Sequence, residues 1–291
     1  MRVYEHLLRR GDLPKADRDR AQHELAQDFF KAGLFDRAEA AYAELRGTAF
    51  EREARLALLS LYERSRDWAK AAEVAAELEA AGTGSFSGRI AHYLCEQALV
   101  AQSQGHADLA QELLGQAQRR APEAARAYVL QGQMLLKAGR PDAALEAFTK
   151  LLAANPPAFN LVAADCAAAA KALGQPERAI ALLDEQYRRS PGMQLLRALA
   201  SLQPGPQRER LAAHLHEQPV LSAATDLLKL NAPALPADEA APMIQALEKA
   251  AKPLQRYRCA ACGFEAAHYF WQCPGCLNWD SYPPQPVEEL S

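Results

Sequence analysis

Cys259, Cys262, Cys273 and Cys276 are the side chains of this sequence whose type and spacing most clearly imply chemistry. They form two Cys-x-x-Cys pairs with ten residues between them. Such a pair wraps a tight turn whose two sulfurs face one ion, and turn N–H groups donate to the thiolates. Two pairs supply four sulfurs at about 2.3 Å from a tetrahedral metal. All-sulfur tetrahedral ligation suits zinc or iron and leaves both possible here. Saturated ligation leaves no position for substrate, so the expected cofactor is one structural metal ion. A thioredoxin-type redox pair occurs once, at a helix start, which is a different pattern. His268 lies between the pairs, but the ligand count is already four, and it is expected at the surface. Cys95 and Cys166 stand alone in helical sequence and read as small buried apolar residues. This distribution does not suit a secreted disulfide framework and points to a reducing compartment.

The segment around the cysteines is short and unusually aromatic, with Tyr257, Phe264, Tyr269, Phe270, Trp271 and Trp279. A module this small cannot bury a core alone, so some of these rings are expected to pack on the rest of the chain. Four thiolates around a divalent ion carry roughly two negative charges, and the adjacent Arg256 and Arg258 are placed to offset them.

The elements that position this module are helical and repeated. Gly33-Leu34-Phe35-Asp36-Arg37-Ala38, Gly105-His106-Ala107-Asp108-Leu109-Ala110, Gly139-Arg140-Pro141-Asp142-Ala143-Ala144 and Gly174-Gln175-Pro176-Glu177-Arg178-Ala179 share one pattern. Arg66-Asp67-Trp68-Ala69-Lys70-Ala71 is a fifth copy without the glycine, and the final alanines are 33, 39, 34 and 35 residues apart. That period is one helix–turn–helix unit. Glycine supplies the positive φ that ends the first helix, and Pro141 and Pro176 suit the first turn of the second. Alanine allows close approach of the two axes. Pro122, Pro156 and Pro191 follow the second helix in three units. Beyond Pro191 the period fades. Two or three irregular helices are expected there, broken at Pro204-Gly205-Pro206 and Ala232-Pro233-Ala234-Leu235-Pro236.

From about Asp17 to Pro191 these units resemble the tetratricopeptide repeat. The fold class implied is all-α: a TPR-like α-solenoid superhelix with a small C-terminal rubredoxin-like or zinc-ribbon metal module. The expected organisation is repeats over 1–190, capping helices over 191–254, the metal module over 255–284 and a tail over 285–291. The resemblance also implies a concave wall lined by the first helix of each unit. Its positions here are Arg20, His23, Gln27, Phe30, Lys31, Glu53, Leu56, Glu63, Arg64, His92, Gln102, Arg126, Gln133, Lys137 and Lys171. These lean basic, so the wall is expected to prefer an acidic or carboxylate-ended partner segment. The chain as a whole has 33 Lys and Arg against 36 Asp and Glu. That balance disfavours nucleic acid, including a zinc-ribbon nucleic-acid binder. No run reaches the roughly 18 apolar residues of a membrane span. No Ser/His/Asp set, Walker-type loop or His-Glu-x-x-His occurs, so no enzyme is expected.

Repeats followed by Tyr257-Arg258-Cys259-Ala260-Ala261-Cys262-Gly263-Phe264, ten residues between the cysteine pairs, Cys273-Pro274-Gly275-Cys276 and Trp279 resemble the lipopolysaccharide assembly protein B family. Ala32-Gly33-Leu34-Phe35-Asp36-Arg37-Ala38-Glu39 and the run Ile90–Leu99 are similar to it as well. The resemblance implies a non-enzymatic adaptor at the cytoplasmic face of the inner membrane. Its implied partners are a membrane AAA protease, the lipid A pathway deacetylase and other inner-membrane lipopolysaccharide proteins. Cys259, Cys262, Cys273 and Cys276 match the family's metal ligands. The family's N-terminal membrane helix and earliest repeat are not in this sequence, so it is expected to be a soluble cytosolic part. A rubredoxin-like electron-transfer protein and a generic TPR scaffold are the alternatives.

Overall fold

A computed structural model describes residues 2–290 of the 291-residue chain. It divides into two compact units, Met1–Pro122 and Glu123–Ser291.

Among its described residues the first unit holds seven helices: α1 Arg2–Leu8, α2 Lys15–Lys31, α3 Phe35–Ala43, α4 Glu51–Ser65, α5 Trp68–Ala80, α6 Ser87–Ser103 and α7 Ala107–Arg120. The last six pack as hairpins, α2 on α3, α4 on α5 and α6 on α7. Their crossings are built from alanine and leucine: Ala38, Ala71, Ala75, Ala110, Leu114 and Ala117 are all fully buried. The turns run through left-handed residues. Gly33 and Gly105 have φ of 73° and 82°, as the glycine pattern requires, and the copy without glycine places Arg66 at φ 58°. An L side chain in that region costs roughly 1–2 kcal/mol. Asp67 then caps α5 by accepting from the Lys70 N–H at 3.2 Å. Between α4 and α6, Glu63 accepts from Arg89 at 2.7 Å and from the Tyr93 hydroxyl at 2.5 Å.

The second unit continues with α8 Ala125–Lys137, α9 Pro141–Ala154, a 3-10 segment Pro156–Val162, α10 Ala163–Leu173 and α11 Pro176–Arg189. Pro141 and Pro176 occupy first-turn positions, as the sequence suggests. Asn155 caps the 3-10 segment by accepting from the Ala158 N–H at 3.3 Å. Gly132 of α8 is where a ring passes closest: a methyl added there would collide with the Phe148 ring of α9. The core of this unit runs through Phe148, Leu151, Phe159, Cys166, Leu183, Leu195 and Leu199.

After Pro191 the chain forms four helices rather than two or three: α12 Met193–Leu202, α13 Gln207–Glu217, α14 Leu221–Asn231 and α15 Ala237–Ala251. The proline-rich breaks are where sequence places them, but α13 and α14 are separated only by a short extended link at Gln218 and Val220 that carries no glycine. The unit closes with the cysteine module and a final 3-10 turn, Val287–Glu289. Among the described residues no helix is long and apolar enough to cross a membrane.

Candidate metal centre

The cysteine module is built on a two-stranded antiparallel hairpin, β1 Tyr257–Arg258 and β2 Glu265–Ala266, with Tyr257 opposite Ala266 and Arg258 opposite Glu265. Between the strands, Cys259 and Cys262 stand on a tight turn closed by Gly263 N–H to Cys259 O at 2.9 Å. The second knuckle is closed by Leu277 N–H to Cys273 O at 2.8 Å. The two turns are equivalent in geometry. Gly263 has φ 79°, and Leu277, in the matching place after Cys276, has φ 60°. Glycine adopts this conformation freely and leucine does not.

The four sulfurs lie within 4.8 Å of one another. Cys259 Sγ is 3.8 Å from Cys276 Sγ, and Cys262 Sγ is 3.7 Å from Cys273 Sγ. A tetrahedron of sulfurs at about 2.3 Å from a central ion has edges of about 3.8 Å, so the donor set fits a four-coordinate metal. Hydroxyls and backbone N–H groups lie against the sulfurs from several sides. The Ser281 hydroxyl is 3.2 Å from Cys259 Sγ, and the buried Tyr282 hydroxyl is 3.8 Å from Cys273 Sγ while donating to Phe264 O at 3.2 Å. The Ser281 contact, with the N–H groups of Cys262 and Ala261, holds the Cys259 thiol down to about 6. Burial pushes Cys273 up, but the N–H groups of Cys276 and Gly275 hold it below its ordinary value. Cys259 and Cys273 are thereby held toward the thiolate form that metal binding requires, whereas at Cys262 the Phe264 N–H is outweighed by burial and the other three sulfurs, which push the thiol up to about 12. When bound, a tetrahedral ion would supply the cross-link that this module's few apolar residues do not.

His268 is exposed and stands outside the sulfur cluster. Cys95 and Cys166 are buried in helices, and burial pushes the Cys166 thiol up to about 12. Arg258 pairs with Glu265 across the hairpin at 2.7 Å.

The module is docked on the helices of its own unit. Trp271 packs against the core formed by α8 to α12, and the Arg126 guanidinium of α8 lies 5.5 Å from the Trp279 ring centroid. Tyr269 meets Tyr257, Trp271 and Tyr282 edge-on at 5.7, 4.9 and 6.2 Å. The rings therefore have two jobs: some cover the sulfurs and some join module to helices.

The wall positions expected from the repeat register have unequal fates. Arg20, Lys31, Arg64, Lys137 and Lys171 are exposed. His23 is half-buried and stacks on Phe50 at 4.8 Å, and Gln133 donates to Asp165 at 2.9 Å. His92 and Arg126 are buried, at 2% and 6% exposure, so neither offers surface to a partner. Arg126 is covered by Trp279, which the repeat register alone does not foresee.

Residues 285–291, expected as a tail, contain contacts that sequence did not reveal. The Val287 N–H donates to Arg256 O at 2.8 Å and the Glu288 N–H to Leu254 O at 3.0 Å. Glu288 is buried, and its carboxylate accepts from the Ser222 N–H at 2.8 Å and the Ser222 hydroxyl at 2.6 Å, at the start of α14. Glu289 accepts from the Met193 N–H at 3.3 Å, at the start of α12. Carboxylates are the side chains that helix N-termini prefer. The signal available in sequence was an acidic pair with an apolar neighbour on each side.

Paired helices of the repeat period with a docked four-sulfur knuckle define a class: repeat scaffolds carrying a rubredoxin-type module. Sequence models agree segment by segment. The tetratricopeptide repeat model matches residues 23–86 and 95–159, and the rubredoxin metal binding domain model matches 257–283. Among individual proteins, the chain is 24% identical over 98% of its length to lipopolysaccharide assembly protein B of Escherichia coli strain K12, spanning 76% of that protein. It is 23% identical over 92% of its length to the protein of the same name from Haemophilus influenzae, spanning 70% of it. Of solved structures, MamA is 19% identical over 59% of this chain and 91% of that chain, with a TM-score of 0.37. A thermophilic TPR protein of Thermus thermophilus is 17% identical over 63% and 98%, with a TM-score of 0.32.

Proposed function

We propose that this chain is a non-enzymatic adaptor that regulates lipopolysaccharide synthesis at the cytoplasmic face of the inner membrane. In this reading it links a membrane AAA protease to the deacetylase of the lipid A pathway, contacts other inner-membrane lipopolysaccharide proteins, and so controls degradation of the deacetylase. One observation carries the proposal: the chain is similar over 98% of its length, repeats and cysteine module together, to proteins named for lipopolysaccharide assembly. Cys259, Cys262, Cys273 and Cys276 hold one metal ion, zinc or iron, whose role is to fix the docked module. The exposed cations among the wall positions, Arg20, Lys31 and Arg64 in the first unit and Lys137 and Lys171 in the second, offer each unit positive charge for an acidic partner segment.

The test is crosslinking in cells followed by measurement of deacetylase lifetime. Reversing Lys137 and Lys171 to glutamate should weaken capture of the deacetylase and change its half-life while helicity is unchanged. Full capture by the reversed variant would remove the wall from the proposal. Absence of both enzymes from the crosslinked products of the unaltered chain would remove the adaptor role. Elemental analysis decides the metal.

A further inference from the structure

The chain that follows the second knuckle turns back over both knuckles. The Cys273 N–H donates to Asn278 O at 2.9 Å, and the Ala260 N–H of the first knuckle donates to Ser281 O at 2.7 Å. Between these two contacts Asp280 takes the left-handed φ of 50° and carries the chain from one knuckle to the other. Aspartate enters that region more readily than most residues. Tyr282, 3% exposed, ends the segment by donating to Phe264 O at 3.2 Å, the carbonyl that also accepts from the Cys259 N–H at 2.9 Å. Residues 278–282 thus clasp the two sulfur-bearing turns through hydrogen bonds of the chain itself.

One hydroxyl of this clasp stands between two acceptors. Ser281 Oγ lies 3.2 Å from Cys259 Sγ and 3.2 Å from Asn278 O. It has a single proton, which rotates to suit its surroundings. The bond to Asn278 O is a long one, since O–H···O contacts are ordinarily about 2.7–2.8 Å. A thiolate is a charged acceptor, and charged acceptors form the stronger hydrogen bonds. In the unligated thiol, the Cys259 S–H donates to Ser281 Oγ and the hydroxyl proton turns to Asn278 O. In the ligating thiolate, the hydroxyl turns and donates to the sulfur.

We propose that Ser281 is a positioning residue of the metal centre: its carbonyl ties the clasp to the first knuckle, and its hydroxyl donates to the ligating Cys259 sulfur, fixing that sulfur's direction and drawing charge from it. The proposal rests on the reading of the four cysteines as ligands of one metal ion. Ser281 is not a ligand and acts through Cys259, which is only 1% exposed. Groups that hydrogen-bond a ligand from behind typically change metal affinity by about 10–100-fold.

The test uses the full chain with cobalt(II) as the probe, because cobalt bound to thiolates shows a sulfur-to-metal charge-transfer band. A hydrogen bond to the sulfur lowers the energy of its electrons, so losing that bond moves the band to longer wavelength. Ser281→Ala should bind cobalt about tenfold more weakly in competition with a chelator, and its band should move to the red. Ser281→Thr keeps the hydroxyl and should recover both the affinity and the band position. Tyr282→Phe breaks the bond to Phe264 O but leaves Ser281 in place; it should loosen the clasp and weaken binding with the band unmoved. An unmoved band or an unchanged affinity in Ser281→Ala overturns the proposal. So does a Ser281→Thr no better than Ser281→Ala, or a band moved as far in Tyr282→Phe as in Ser281→Ala, which would report loosening rather than the hydroxyl. An unaltered chain that shows no such band overturns the four-cysteine reading, and this proposal with it.

Discussion

The helical hairpins and the cysteine module solve the same problem, holding a turn closed, with opposite means. In the hairpins each turn is backed by buried alanines and leucines spread along two helices. In the module two turns are held to each other by four sulfurs within 4.8 Å, and among the described residues its buried cluster is Cys259, Cys273 and Tyr282, with Tyr257, Ala266, Tyr269 and Cys276 packed against them. Stability is distributed in the first region and concentrated in the second. Function that depends on shape can therefore be switched off at the module without dismantling the repeats.

The harshest way to break the comparison is to remove one ligand. Cys259→Ser, or a strong chelator, should abolish stoichiometric metal and unfold residues 257–283. Metal-coupled folding of such sites is worth on the order of 10 kcal/mol. Circular dichroism should still report most of the helix, and loss of all helix would show that the two regions are not separable in this way. A milder intervention strikes the distributed core at its tightest point. Gly132→Ala pushes a methyl into Phe148 and should cost about 1–3 kcal/mol, read as a lower urea midpoint with metal content retained.

The smallest effects sharpen the parallel. Among the described residues, a residue with a side chain takes up glycine's left-handed conformation at Arg66 in the hairpins and at Leu277 and Asp280 in the module. Arg66→Gly and Leu277→Gly should each stabilise their own region by about 0.5–1 kcal/mol. Arg66→Gly is read in the thermal midpoint of the helices, and Leu277→Gly in resistance of the metal site to chelation. A loss of stability at either position would mean that its side chain makes contacts worth more than the strain.

Sequence disclosed what repeats and what is chemically singular. The glycine period predicts the hairpins because positive φ at Gly33, Gly105, Gly139 and Gly174 is a local demand. The four cysteines are legible because few other roles suit that spacing. What stayed hidden depends on distant contacts. Arg126 reads as a wall cation by register, yet Trp279, far along the chain, covers it. Glu288 and Glu289 read as a solvated tail, yet they meet helix starts at Ser222 and Met193. The four helices after Pro191 lack a period, so their count follows from packing rather than from any local rule.

The chain has three tryptophans, and their placement makes the protein its own reporter. Trp68 is buried against Tyr93 in the first unit, with rings 5.9 Å apart, whereas Trp271 and Trp279 sit half-buried where the module meets the helices. Emission from the latter pair should shift to the red when the module lifts off, while Trp68 stays silent until the first unit melts. Undocking and melting can thus be timed separately in one cuvette, without attaching a dye.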